Sequence, residues 1–177
     1  IVLFKFNSLH CLYLGFIKII TTEGYFRIFY LRRLSSIKSF CFFQKKIMIE
    51  YQPNQKYKKD RYTIFLGGSI EMGNCDNWQQ KIILDLQNEN VILLNPRRDN
   101  FDHTQLQSID NKYFRDQVNW ELDGLSNADL IVINLLPGTY SPISLLEIGL
   151  FTKIDSNNDK MLICCPEGFW RKGNVDI

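Results

Sequence analysis

Two glutamates stand in stretches whose neighbours are apolar. In GTYSPISLLEIGL, Gly138 to Leu150, a helix opened by Ser141 and Pro142 carries Ile143, Leu145, Leu146, Ile148 and Leu150, with Glu147 embedded among them. Glu147 follows Ile143 by four residues and precedes Leu150 by three, so on a helix it shares their face, the one expected to pack on a sheet. Glu121 repeats the pattern. Phe114, Val118 and Leu125 recur at i, i+4 and i+11, Glu121 falls at i+7 inside that stripe, and Asp116 and Asp123 project to the opposite side. An unpaired carboxylate on an inward face is costly or is forced to keep its proton. Either each acid lies at the margin of the core, paired to Arg97, Arg98 or a backbone amide, or the two form a pair of catalytic acids at the rim of one pocket.

Other reactive groups are scarce. The five cysteines, Cys11, Cys41, Cys75, Cys164 and Cys165, show no C-x-x-C spacing, which speaks against a zinc site or a disulfide framework. The only histidines are His10 and His103, so an imidazole metal site lacks ligands and a Ser/His/Asp triad would rest on His103 alone. Neither a metal nor an organic cofactor is expected. The chemistry must come from carboxylates, hydroxyls and backbone. Gly67, Gly68 and Ser69 follow an apolar run. They read either as a tight turn or as a place where a ligand approaches the backbone beside a serine hydroxyl. The full G-x-G-x-x-G and G-K-[ST] patterns are absent, so neither a dinucleotide site nor a P-loop is read here. Arg97 and Arg98 follow Pro96 and are either solvated loop charges or partners for a phosphate or an acid.

The elements that must position these residues alternate along the chain. Tyr62 to Gly67, Val91 to Pro96, Asp129 to Leu136 and Lys160 to Cys165 read as buried strands. Helices are expected after Asp76 as cap, from about Asn111 to Asn127, and through Glu147. The polar loop RRDNFDHTQLQSID separates the second strand from the second helix. Continuous apolar strands separated by helices define an α/β fold with a parallel sheet of four or five strands between two helical layers. Ligands in such folds bind beyond the carboxyl ends of the strands. Gly67 to Ser69, Pro96 to Arg98, and the loop with Gly138, Thr139 and Ser141 all fall there.

At 177 residues, 45% hydrophobic and 23% charged, the chain can build one ordinary domain. Charge divides it unevenly: residues 1–47 hold eight Lys/Arg against Glu23 alone, and the remainder holds thirteen against eighteen Asp/Glu. A mildly acidic body argues against a nucleic-acid surface. Residues 1–47 read as a translated leader ahead of a start at Met48, as an organelle-targeting presequence, or as a membrane segment that Lys18 and Arg27 interrupt too early. Localisation is therefore expected to be cytoplasmic if Met48 is the start and organellar if the stretch is a presequence. Residues 48–60 are expected to be a linker and 61–177 the domain, with a further element possible beyond its end. No membrane contact is expected of the body.

Taken together, IFLGGSIEMGNCDNWQQ, VILLNPRRDNFD, QVNWELDGLSNADLIVINL, SPISLLEIGLF and the final KGNVDI resemble the nucleoside 2-deoxyribosyltransferase-like family from about Tyr62 onward. The resemblance implies a flavodoxin-like, Rossmann-like fold and a homo-oligomer that cleaves or exchanges the N-glycosidic bond of deoxynucleosides or nucleotides through a glycosyl-enzyme intermediate. By the E-I-G match it places the nucleophile at Glu147 and an acid that contacts the base at Glu121. Six residues before the nucleophile the best-known transferases carry a sugar-binding Asp, where this chain has Ser141, a residue closer to the nucleotide N-glycosidase branch. Their Tyr near the end of the first strand aligns with Phe65. Substrate contacts are thereby expected from Phe65, Gly67, Gly68, Ser69, Pro96, Arg97, Arg98, Gly138, Thr139 and Ser141, the hydroxyls holding sugar or 5′-phosphate. The competing expectation is a non-catalytic nucleotide-binding or sensing module on the same fold.

Overall fold

The computed structural model describes residues 47–98, 104–152 and 160–177, together with the backbone of three strands, β1 (His10–Leu14), β2 (Ile17–Thr22) and β3 (Tyr25–Tyr30). These three pair antiparallel in the order β1-β2-β3. His103 lies outside the described residues, as does most of the stretch expected to be leader or presequence. No described helix is long and apolar enough to cross a membrane.

The body is a five-stranded, all-parallel sheet. Its strands are β4 (Ile49–Tyr51), β5 (Tyr62–Gly68), β6 (Val91–Leu94), β7 (Leu130–Asn134) and β8 (Met161–Cys164), ordered β4-β6-β5-β7-β8. Every residue of β6 and β7 is buried, as is β5 after Tyr62, which matches their unbroken apolar runs. Among the described residues four α-helices complete the layers: α1 (Trp78–Leu86), α2 (Lys112–Asn127), α3 (Pro142–Thr152) and the short α4 (Lys172–Asp176). This is the flavodoxin-like, Rossmann-like arrangement the alternation of elements predicts.

Residues 48–60, expected as a linker, do more than connect. Ile49–Tyr51 pairs with β6 and forms the sheet edge. The Tyr51 and Tyr57 rings meet tilted at 5.8 Å, Tyr57 lies edge-on to Trp120 at 6.4 Å, and Trp120 Nε1–H donates to the Gln55 carbonyl at 2.9 Å. The segment is thus pinned to α2 by aromatic contact. The strand eluded periodicity because three residues are too few to show one.

Alternation along the strands sorts the core in two. Ile64, Leu66, Leu130 and Val132 face α1 through Trp78, Ile82 and Leu86. Phe65, Ile131 and Ile133 face the opposite side, which both α2 and α3 cover: Trp120 and Leu125 come from α2, and Leu145, Ile148 and Phe151 from α3. Two helices on one face bring their facing flanks into the same groove. Chain order also reverses around β5, since the crossover through α1 leads to β6 on one side and the next, through α2, leads to β7 on the other. A crevice opens at such a reversal, at the carboxyl ends of β5 and β7.

Two local expectations are corrected. The cap of α1 is Asn77, whose side chain accepts from Gln80 N–H at 3.1 Å, not Asp76. The sheet-facing side of α3 is not the Ile143–Leu150 stripe, because Ile143 is 60% and Leu150 49% exposed, whereas Ser144 and Phe151 are buried. Leu145 and Ile148 pack partly on the core beside them. Every turn of this helix carries apolar side chains, so spacing alone could not say which of them turn inward.

Candidate active site

Glu147 follows Ser144 by three residues and precedes Phe151 by four, which sets it on the flank of the buried face of α3. Glu121 occupies the corresponding flank of α2, following the helix-capping Asn111, whose side chain accepts from Tyr113 N–H and Phe114 N–H. The two carboxyls are close enough to act on each other electrostatically. Burial pushes Glu147 up to about 8, and the charge of Glu121 adds to the rise. Glu121 is also raised by burial, but Gln117 and Arg98 oppose the rise: Gln117 Nε2–H donates to Glu121 Oε1 at 2.9 Å, and the Arg98 guanidinium attracts the carboxylate. Neither acid makes an ion pair within contact distance among the described residues. The pair therefore holds a proton at neutral pH.

Arg98 is held over the Tyr113 ring at 4.6 Å, and its Nε and Nη2 are buried without a hydrogen-bond partner among the described residues. Burial lowers its pKa while Glu121 raises it. Two unused donors beside an acid and an amide make this end of the groove suited to a flat polar ligand. Gln117 was not foreseen. Its position one turn before Glu121 was the available signal.

Arg97 takes a different part. Its Nη2 donates to the Gly73 and Cys75 carbonyls at 3.1 and 2.9 Å, and its Nη1 to the Asp76 carbonyl at 3.2 Å. The side chain is buried and staples the loop between β5 and α1. Pro96 is likewise buried, and Asn95 Oδ1 accepts from Arg97 N–H at 3.0 Å.

The hydroxyls expected to meet substrate are closed upon one another. Ser69 Oγ shares hydrogen bonds with Thr139 Oγ1 at 2.6 Å and Ser141 Oγ at 2.7 Å, and accepts from Leu136 N–H at 2.9 Å. Thr139 donates to the Leu136 carbonyl at 2.8 Å. All three residues are buried. The trio ties the end of β5 to the loop after β7. Ser144 Oγ–H adds a bond to the Gly68 carbonyl at 3.1 Å, and Trp78 Nε1–H one to the Ser69 carbonyl at 2.9 Å.

The glycines serve the same junction. Gly68 has φ of +124°, and a side chain there would collide with the Asn134 backbone. At Gly67 a Cβ would meet Ile133 Cδ1. Gly138, with φ of +73°, makes the turn before Thr139 and faces open space. Phe65 is fully buried, its ring 6.5 Å from Trp120 and against Gly124. It belongs to the core beneath the groove.

A third acid joins these elements and was not foreseen. Glu71 Oε1 accepts from Tyr140 N–H at 3.0 Å and Ser141 N–H at 2.8 Å, at the start of α3. Nothing in the local sequence announces it, because the contact spans 70 residues. The three described thiols are held protonated: burial pushes Cys164 up to about 12 and Cys165 to about 11, and raises Cys75 as well.

A parallel sheet whose chain order reverses at β5, with helices on both faces, defines an α/β protein of the flavodoxin-like, Rossmann-like class, and two of its helices carry acids near enough to interact electrostatically. The chain belongs to the nucleoside 2-deoxyribosyltransferase-like family, whose profile matches residues 61–169. No curated protein matches the chain.

Proposed function

We propose that the protein breaks the N-glycosidic bond of a deoxynucleoside or its nucleotide, with Glu147 as nucleophile and Glu121 as the acid that serves the base. The observation that carries this reading is the electrostatic influence of Glu121 on Glu147 between α2 and α3, with no ion pair sealing either acid among the described residues. As the C1′–N bond breaks, its electron pair goes to the base nitrogen, which takes a proton from the pair. Glu121, hydrogen-bonded to Gln117 and facing Arg98, relays that proton and leaves Glu147 ionised. A Glu147 carboxylate oxygen then forms an ester bond to C1′. A second base or a water then attacks C1′, gives its proton to Glu121 and displaces the Glu147 carboxylate, so that transfer or hydrolysis returns the pair to its one-proton state.

The reading requires one proton on the pair. A site with none cannot protonate the base, and a site with two has no nucleophile. Arg98 and Gln117 flank the base. The Ser69, Thr139 and Ser141 trio positions the helix carrying Glu147. The family match supports nucleosides as the substrate class. A homo-oligomer is part of the proposal, formed through the outer face of α3, where Ile143, Leu146 and Leu150 are exposed at successive turns.

The test incubates the full chain with deoxynucleosides and their 5′-monophosphates, with and without a second free base, and separates the products by chromatography. Free base or an exchanged nucleoside is expected. Binding without release of base from any donor, unaffected by Glu147→Gln, would instead establish a non-catalytic nucleoside- or nucleotide-binding module.

A further inference from the structure

We propose that Glu71 sets the substrate class at the sugar end of this site, admitting a nucleoside with a free 5′-hydroxyl and rejecting a 5′-phosphate. The proposal rests on the glycosidic reading above. The start of an eleven-residue helix is where a phosphate is ordinarily received, because backbone N–H groups converge there with the positive end of the helix dipole. In this protein the amides of Tyr140 and Ser141 are already taken by one oxygen of Glu71, at 3.0 and 2.8 Å, and Ser141 Oγ lies 3.5 Å from the same oxygen. The carboxylate makes no ion pair among the described residues. Two amides receive its charge, so a phosphate arriving there meets a fixed like charge.

Several features hold Glu71 in place. Glu71 and Met72 have φ of 45° and 52°, and Ser141 has φ of 43°, a conformation that non-glycine residues rarely adopt. The 3-10 turn Glu71–Gly73 is fastened at its end by Arg97, which donates to the Gly73 carbonyl at 3.1 Å. Strain on both sides of the contact and a buried arginine beneath it indicate a carboxylate set deliberately against α3, since a surface glutamate would relax away.

One helix links the Glu71 contact to the reacting centre. Glu147 lies six residues after Ser141, a rise of about 9 Å, and helical side chains lean back toward the N-terminus, which shortens the span. The 5′ arm is the part of a deoxyribose that extends farthest from C1′, so with C1′ at Glu147 that arm points toward Glu71. The second carboxylate oxygen, Oε2, makes no hydrogen bond among the described residues and can accept one from a hydroxyl. A phosphate has no proton to offer it in its dianionic form.

The experiment compares kcat/KM for deoxynucleosides and the 5′-monophosphates of the same bases, in wild type and in Glu71→Gln, with calorimetric binding of both ligand types to each protein. Gln retains a carbonyl oxygen for the two amides, so the fold is kept, and a thermal melt checks it. Wild type is expected to favour the nucleoside by about tenfold or more, and Glu71→Gln to narrow that ratio by a similar factor through better use of the nucleotide. Equal or better use of the nucleotide by wild type overturns the proposal, as does an unchanged ratio in Glu71→Gln. If no base is released from any donor, the glycosidic reading falls, and calorimetry decides this proposal separately: preference for the nucleoside that Glu71→Gln erases sustains it, and binding of neither ligand, or preference for the nucleotide, defeats it.

Discussion

The burial that raises the Glu147 carboxyl has measurable consequences. Folding raises the pKa of Glu147 from an ordinary 4.5 to about 8, so the native state favours the protonated form. The stability linked to this group is therefore complete below the ordinary carboxylate range and is lost as pH rises toward 8. Glu121, raised in the same direction, contributes with the same sign. Glu147→Gln cannot ionise and escapes the loss. Urea unfolding should show the variant gaining on wild type between about pH 5 and pH 8, by on the order of 2 kcal/mol. A constant difference across that window would mean that Glu147 ionises freely in the folded protein. On activity the same substitution should lower kcat by about a thousandfold or more while nucleoside affinity changes little. Wild-type kcat/KM should fall above pH 8 as the pair loses its last proton, which a pH–rate profile measures.

At the scale of elements, the junction between β5 and the loop after β7 is where packing tolerates least. The backbone of Asn134 occupies the space a Gly68 side chain would need, and the φ of Gly68 lies in the region that favours glycine. Gly68→Ala should cost about 3 kcal/mol or more, read from chemical denaturation. Stability within a few tenths of a kcal/mol of wild type would show that the strands can separate there without loss.

Much of this level was legible beforehand. The strands β5 to β8 announced themselves as apolar runs, and α2 through the recurrence of Phe114, Val118 and Leu125, although of these three Leu125 alone is buried while Trp120 and Gly124 join it on the inward face. What was hidden has physical reasons. The hydrogen-bonding of the Ser69, Thr139 and Ser141 hydroxyls is a product of tertiary approach, since Ser69 meets the others across some 70 residues. Arg97 and Arg98 are adjacent and chemically alike, yet one staples backbone carbonyls while the other faces Glu121, a division that only the path of the chain decides. Glu71 was invisible because its position depends on three backbone conformations that residue type does not encode.

For the whole molecule, the apolar character of α3 on all sides is the feature a lone domain leaves unexplained. Tyr140, Ile143, Leu146 and Leu150 are exposed on its outer flank, and Glu147 is the only charged residue in the helix. An uncharged stripe recurring at successive turns suits a copy of itself, packed across a twofold axis. Leu146→Glu should shift the mass measured by light scattering after size exclusion toward that of the monomer, 20.9 kDa. Wild type already running as a monomer at the concentrations used for activity would rule this interface out. Such packing would lie beside the groove that holds Glu147, so assembly and activity should be lost together.

The central claim, that Glu147 forms a bond to the sugar, is tested most directly by intact-protein mass spectrometry. The full chain is mixed with a deoxynucleoside, quenched in acid, and digested to locate any added mass. The account predicts a deoxyribosyl adduct on the peptide that contains Glu147, absent from Glu147→Gln. Undiminished release of free base by Glu147→Gln, with no adduct on either protein, would contradict it.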